Sequence, residues 1–344
     1  MRAERGRLSG GDAAVAVPVE TLILSAGDVA ACLDGDAVLS CVERTLRALA
    51  GGAAESGPRA FMPVGSGAFF ALPAALREER IAGMKWVSTL GDNPARGLPK
   101  VRGTVLLSDA DTGALRAVLD AKAITAWRTA ALAVVAAKYC GPAEPGAAAV
   151  VGFGAVGRTT AALLSRTLPL REIRVFGRRR PETEAAAAAL PRRAGVRISV
   201  ADSVREAVTG AGVVVTATGL TADEPLVERS WIGTGVFVCG LGSYQEVETA
   251  VITSADRLVV DSWEGSSHRG QFAPLVAAGR LRREDIHAEL SEIVAGRKPG
   301  RASDREIVVA SLLGRGVFDV AVAADVLDAA ERRGIGRPVA IDTW

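Results

Sequence analysis

Histidine and cysteine are scarce in this chain of 344 residues, with two of the former and four of the latter. The cysteines, Cys32, Cys41, Cys140 and Cys239, are widely scattered and never fall in CxxC spacing, so no metal site is indicated and a reduced, cytoplasmic setting is expected. Charge of one sign is also missing: the net excess is only +2 and is spread along the sequence, which leaves no basic stripe to argue for nucleic acid. No uninterrupted apolar run reaches the roughly eighteen residues that a membrane helix needs, so no membrane partner is expected. Met1–Val17 has no apolar core of the signal-peptide kind and reads as a flexible tail. No fixed-period repeat is visible. What the chain does have is apolar content, at 49% enough for two cores and hence two domains.

The most informative stretch is Ala147–Arg180, which reads as strand, turn, helix and strand in succession. The apolar run Ala147–Val151 ends at Gly152, and Gly152, Gly154 and Gly157 give the spacing GxGxxG where a helix should open. Each glycine has a separate physical task. The first permits a tight turn, the second lets the backbone approach a pyrophosphate, and the third lets the helix pack closely on its strand. Amides at the helix opening, including those of Ala155 and Val156, would then hold the phosphates. Ile173–Phe176 is the expected second strand. A dinucleotide is therefore the expected cofactor.

Beyond that second strand an NAD enzyme usually carries an acid for the ribose 2'-hydroxyl, whereas this chain reads Gly177-Arg178-Arg179-Arg180. Arg178 and Arg179 suit a 2'-phosphate by charge and by fork geometry, so NADP(H) is favoured over NAD(H). The competing reading is a solvated cluster at a helix entry ahead of Pro181, which keeps NAD(H) open.

Taken in order, the chain opens with a short strand from Leu22, a turn at Ala26-Gly27-Asp28, and an amphipathic helix carrying Val38, Val42, Leu46 and Leu49. Strands are expected at Ala60–Val64, Ala68–Leu72, Ala82–Thr89 and Gly103–Ser108, then a hairpin turn at Asp109–Gly113 and a strand at Leu115–Asp120. Ala121–Cys140 reads as a helix stopped by Gly141-Pro142. After the glycine-rich unit come strands at Val196–Ala201, Gly212–Thr218, Val236–Leu241 and Leu258–Ser262, with a short helix from Ser203. Their alternation with helices predicts a parallel sheet. Ala273–Gly296 reads as helical with Pro/Gly punctuation, Arg301–Val309 as extended, and Val317–Arg333 as a last helix ending at Gly334. The fold class is α/β, a doubly wound Rossmann sheet joined to a mixed α+β domain.

Several short stretches, in order, resemble the ornithine cyclodeaminase/mu-crystallin family. They include Gly83-Met84-Lys85, Asn93-Pro94 with Gly97-Leu98-Pro99, Asp111-Thr112-Gly113, Ile124–Ala131, Val151–Gly157, Ala288-Glu289-Leu290 and Gly296–Arg301. The resemblance implies a substrate-binding and dimerisation domain over 18–128 and 315–344, completed by the last helix, and a Rossmann domain over 129–314. It also implies a homodimer, and chemistry at the α-carbon of an amino acid, between amine and imine, with a nicotinamide cofactor. A weaker similarity, carried by Asp92-Asn93-Pro94, Ser262-Trp263 and His287–Leu290, points to the branch that oxidises N-(2-amino-2-carboxyethyl)-glutamate. His287 has a plainer reading as a partly buried helix residue.

A small amino- or imino-acid substrate needs cations for its carboxylate and a proton donor or acceptor beside its nitrogen. By the resemblance, Arg59 and Arg128 would clamp the carboxylate, and Lys85 would bind it or exchange a proton; Lys85 would be the catalytic residue. Thr129 and Thr218 are cofactor-binding candidates, the former open to ordinary helix packing instead. Asp319 falls where the family has an acid entering its last helix, as a substrate contact or as a cap or charge partner. One departure matters more than the matches. Cyclodeaminases of the family carry an aspartate in a Gly-Gly-Asp stretch, and this chain has Gly240-Leu241-Gly242-Ser243-Tyr244. That points toward an NAD(P)-dependent imine reductase or amino-acid dehydrogenase. An ornithine- or lysine-type cyclodeaminase using bound NAD, and a non-catalytic nucleotide-binding relative, are the alternatives.

Overall fold

The computed structural model describes residues 19–342, so the tail expected over 1–17 lies outside the described residues. Two eight-stranded sheets make the frame. The first contains β1 (Val19–Leu24), β2 (Ala54–Ser56), β3 (Ala60–Val64), β4 (Gly67–Leu76), β5 (Ile81–Leu90), β6 (Val101–Asp109) and β7 (Leu115–Asp120). The second is built from β8 (Gly146–Val151), β9 (Leu170–Phe176), β10 (Arg197–Val200), β11 (Val213–Thr216), β12 (Phe237–Gly240), β13 (Arg257–Val260), β14 (Ala288–Glu289) and β15 (Val308–Ser311). A last strand, β16 (Arg337–Asp342), rejoins the first sheet antiparallel to β1.

Every pairing in the second sheet is parallel, in the order β10-β9-β8-β11-β12-β15-β13-β14. Strand order reverses direction between β8 and β11, which makes the carboxyl ends of those two strands the switch point where α/β sheets bind ligands. Its central strands are Val-rich and buried on both faces, as parallel strands covered by helices must be. The first sheet is a meander, β7-β6-β5-β4-β2, with β3 folded on β4 and β1 parallel to β7.

The first five helices are α1 (Ala26–Cys32), α2 (Gly35–Gly51), α3 (Ala121–Cys140), α4 (Ala155–Thr167) and α5 (Arg180–Ala188). The short helices α6 (Val204–Val208), α7 (Thr249–Thr253), α8 (Trp263–Ser266), α9 (Ala273–Ala277) and α10 (Leu290–Val294) lie in the connections of the second sheet, α10 packing on α2, and α11 (Gly316–Arg333) is the last helix, ahead of β16. α3 is apolar nearly all round because it is covered on all sides; it touches α4 and β12 on one hand and β6 and α11 on the other, and so ties the two sheets together. α11 packs back on β4, β5 and β6, completing the first unit as the resemblance implied.

Four local readings need correction. Ala26-Gly27-Asp28 is the first turn of α1: Ser25 and Asp28 form a reciprocal capping box there, a stronger instruction than the turn-forming glycine. Ala273–Gly296 is not a punctuated helix, since β14 interrupts it by pairing with β13. His287 accordingly precedes a strand, with its imidazole against Arg257 and the Pro299 carbonyl. Of Arg301–Val309 only the last two residues belong to β15; the rest is held by side chains, Arg301 donating to the carbonyls of Cys140, Gly235 and Glu306.

Candidate functional site

At the carboxyl end of β8 the three glycines meet three different surroundings. Gly152 turns with φ of 95°, and a Cβ on it would lie 2.5 Å from the Ala217 carbonyl after β11, so both its conformation and its contact exclude a side chain. A Cβ on Gly157 would lie 1.9 Å from the Gly152 carbonyl, which is the price of seating α4 directly on the turn. A Cβ on Gly154 would meet nothing within 4 Å. Two glycines are thus demanded by the protein's own packing, while the third faces open space at the N-cap of α4, where the Ala155 and Val156 amides are the unspent first donors of the helix. That empty volume beside free amides fits a dinucleotide pyrophosphate.

The other cofactor candidates fall at or near this edge. Thr218 follows β11 beside Gly152, but its amide and hydroxyl both donate to Glu246, leaving its backbone rather than its hydroxyl to shape the cradle. Thr129 donates to the Thr125 carbonyl at 2.7 Å within its own helix. Of the arginines after β9, Arg180 pairs with Glu184 and Asp202, and Arg179 lies 3.4 Å from Glu182. Arg178 is exposed and has no ion pair among the described residues.

The charged group lies between the sheets. Lys85 on β5 and Arg128 on α3 converge on one carboxylate, Asp319 in the first turn of α11: Lys85 Nζ is 2.8 Å and Arg128 Nε 3.0 Å from Asp319 Oδ1. All three are buried. Burial pushes the Lys85 amine down to about 8, and the Arg128 and Arg59 cations add to this, while Asp319 resists it. Burial would raise the Asp319 carboxyl, yet Arg128 and Lys85 together hold it below the ordinary carboxylate value. Two donor and acceptor atoms remain unspent, Arg128 Nη1 and Asp319 Oδ2.

A cavity of about 320 Å³ opens on the other side of this group. Its wall includes Leu72, which lies opposite Lys85 in the β4–β5 ladder, and Gly314. Gly314 has φ of 78°, and a Cβ there would fall 1.6 Å from Arg128 Nη1, so the residue is glycine because the guanidinium fills its side-chain space. Arg59 stands at the mouth of this cavity, exposed, with its guanidinium 3.9 Å from the Phe70 ring centroid; partial desolvation against its neighbours and the nearby Arg269 cation lower its pKa.

Sequence reasoning missed Arg269, Arg315, His268 and Asp261, all of which line the cavity. They follow β13 and β15, so the parallel sheet brings them to the carboxyl edge that also carries the glycines; the only sequence signal was the end of each strand. Asp261 accepts the Leu313 and Gly314 amides at 3.2 and 2.6 Å, with burial raising its pKa against those bonds. Glu246 was also missed. Fully buried, it accepts from Thr216 Oγ1, Thr218 and the Gly242 amide, and so braces the β11 and β12 loops together. Glu248 accepts the Arg229 amide at 2.7 Å, away from the cavity lining. His287 does not line the cavity. Among the described residues no group of three or more potential metal ligands occurs, and no helix is long and apolar enough to cross a membrane.

A doubly wound sheet with this glycine cradle, and a buried lysine and arginine behind a cavity on the same edge, define a nicotinamide-dependent Rossmann oxidoreductase. The model of the ornithine cyclodeaminase/mu-crystallin family matches residues 19–334, and the chain belongs to that family. It is similar to an archaeal alanine dehydrogenase dimer with bound NAD, at 30% identity and a TM-score of 0.88, the match covering 94% of this chain and 100% of that one. The Δ1-pyrroline-2-carboxylate reductase of Thermococcus litoralis, solved with NADH and L-proline, matches at 29% identity and a TM-score of 0.87 over 93% of this chain and 100% of its own. The N-((2S)-2-amino-2-carboxyethyl)-L-glutamate dehydrogenase of Staphylococcus aureus is 30% identical over 75% of this chain and 77% of its own length.

Proposed function

We propose that the protein transfers hydride at the C–N bond of an α-amino or α-imino acid, as an imine reductase or amino-acid dehydrogenase. The observation that carries this reading is the buried pair of cations on Asp319, set behind a cavity on the edge of the sheet that holds the dinucleotide cradle. Bound nicotinamide supplies or accepts the hydride. Arg128, with Nη1 unspent, and Arg59 bind the substrate carboxylate. Lys85 holds the proton that passes to or from the substrate nitrogen, its pKa near 8 placing both protonation states within reach of neutral pH. Asp319 positions both cations.

The cofactor-holding residues in this reading are Gly152, Gly154, Ala155, Val156 and Gly157, with Thr129 and Thr218 beside the phosphates. NADP(H) is favoured because Arg178 has no ion pair among the described residues and no acid stands in the Gly177–Arg180 stretch directly after β9. Residues 18–128 and 315–344 form the substrate and dimerisation part, and 129–314 the dinucleotide part. A homodimer is supported by exposed Phe61, Met62 and Val64 on β3 and Trp86 and Val101 on the neighbouring pair β5 and β6, apolar surface at the β3–β6 end of the first sheet that favours pairing. The four cysteines are unpaired, as suits the reducing cytoplasm.

The test is reduced-nicotinamide absorbance with cyclic and acyclic imino acids plus NADPH or NADH, and with amino acids plus oxidised cofactor, ammonia being followed in parallel. Net cofactor conversion that is lost in Lys85→Met supports the reading. Ammonia release from ornithine or lysine without net conversion would replace it with a cyclodeaminase. Among the described residues the acids set against the cavity wall are Asp261, hydrogen-bonded to two amides, exposed Glu264, and Asp319 behind it.

A further inference from the structure

The cavity holds more positive charge than one carboxylate requires. Lys85 and Arg128 already converge on Asp319 with one guanidinium nitrogen left over. Across the cavity stand Arg59, Arg269 and Arg315, and none of the three has an ion pair or a side-chain hydrogen bond among the described residues. Arg269 is partly buried after β13, and burial lowers its pKa, with Asp261 opposing and Arg128 adding to the shift. It also acts on Arg59, so these guanidiniums are near enough to repel one another. Asp261 offsets part of this charge, acting on both Arg269 and Arg315, but no acid pairs directly with either among the described residues. Asp261 is already tied to the Leu313 and Gly314 amides, and Glu264 is exposed. Arg59 is exposed, but Arg269 and Arg315 are partly out of water, and guanidiniums held there without hydrogen-bond acceptors are costly unless an anion completes them.

We propose that this cavity binds a second acidic group of the substrate: an α-amino or α-imino acid whose side arm ends in a carboxylate, which Arg269 and Arg315 take while Arg128 and Arg59 hold the α-carboxylate. The inference rests on the amino-acid reading above. Forked guanidiniums suit a carboxylate because two parallel N–H bonds can reach its two oxygens. A monocarboxylate leaves Arg269 and Arg315 unmatched, so a diacid gains where a neutral side arm does not.

The experiment measures binding to the full chain saturated with NAD⁺, by calorimetry, using L-aspartate, L-glutamate and L-2-aminoadipate against L-norvaline. At least one diacid is expected to bind tenfold or more tighter than L-norvaline. Arg269→Gln is expected to abolish that preference while changing L-norvaline and NAD⁺ affinity less than twofold, and Arg269→Lys to restore part of it. Arg315→Gln gives a second reading should the first variant not fold. Equal binding of diacids and monoacid overturns the proposal. So does an Arg269→Gln effect that falls on NAD⁺, which would assign these arginines to cofactor phosphates, or one that weakens all amino acids alike. The outcome is separable from that of the parent reading: a diacid preference without hydride transfer defeats the dehydrogenase, whereas equal turnover of diacid and monoacid defeats only the second subsite.

Discussion

The glycine cradle and the cavity proposed for the substrate lie on the same edge of the same sheet, but they are made differently. The cradle is backbone from six consecutive residues, Gly152 to Gly157, and works through what is missing from it. The cavity and the charges behind it are side chains from β5, α3, the loops after β2, β13 and β15, and α11. In the first, each glycine can be tested against a stated contact. Gly157→Val puts carbon on the Gly152 carbonyl, and the expected loss of stability is more than about 3 kcal/mol, read as a collapse of the denaturation midpoint or of soluble yield. Gly154→Ala projects into open space, so unfolding stability should stay within about 0.5 kcal/mol while cofactor affinity falls roughly tenfold or more. If Gly154→Ala unfolds the protein and leaves cofactor binding intact, the division between packing and ligand glycines is wrong.

On the cavity side the largest effect should come from Lys85. Lys85→Met leaves Asp319 its bond to Arg128, so the fold should survive, and turnover should drop by about 10² to 10⁴, the usual weight of a positioned proton donor. Asp319→Ala is the harsher change for stability. It strands two buried cations and should cost about 3–5 kcal/mol, measured by chemical denaturation. A Lys85→Met enzyme with full turnover would reduce the lysine to a packing cation.

The same lysine gives a pH signature that the cradle cannot. With a folded pKa near 8, imine reduction needs the ammonium form and should fall about tenfold per unit above pH 8, whereas amine oxidation should rise up to pH 8 and level off. The stability sign is fixed as well. Between pH 8 and the ordinary value of 10.5 the unfolded chain binds a proton that the folded chain has released, so the penalty of burying the ammonium is full below pH 8 and relieved as pH rises through that window. Subtracting the pH-stability curve of Lys85→Met from that of the wild type isolates this contribution; a flat difference would mean that Lys85 keeps an ordinary pKa.

This contrast also explains what was legible beforehand. GxGxxG, its flanking strands and the long helices α2, α3 and α11 come from local spacing, and α3 begins and ends where expected, at Ala121 and Cys140. Lys85, Arg128 and Asp319 were reachable only because each sits in a short stretch resembling a family; nothing local says that residues 43 and 191 positions apart share one oxygen. Arg269 and Arg315 had no such stretch, and one guanidinium in a polar loop looks like any other until strand order brings β13 beside β15. β16 was missed for a related reason: its partner β1 is at the far end of the chain.

The smallest effect is expected at the adenosine end of the cradle, where side chains rather than glycines would choose between cofactors. Three arginines follow β9, but two have partners: Arg180 binds Glu184 at 2.7 Å as well as Asp202, and Arg179 lies near Glu182. Arg178 alone is uncommitted, and it is exposed, so a 2'-phosphate bound there would be screened by water and salt. The expected gain is therefore about 1 kcal/mol, not the larger sum that a row of three cations suggests. Arg178→Ser should raise the KM for NADPH about fivefold and leave that for NADH unchanged, with the gap narrowing as salt is added. Equal use of both cofactors by the wild type, with no response in Arg178→Ser, would make the cluster a solvated helix entry and leave the cradle's choice of cofactor to its backbone.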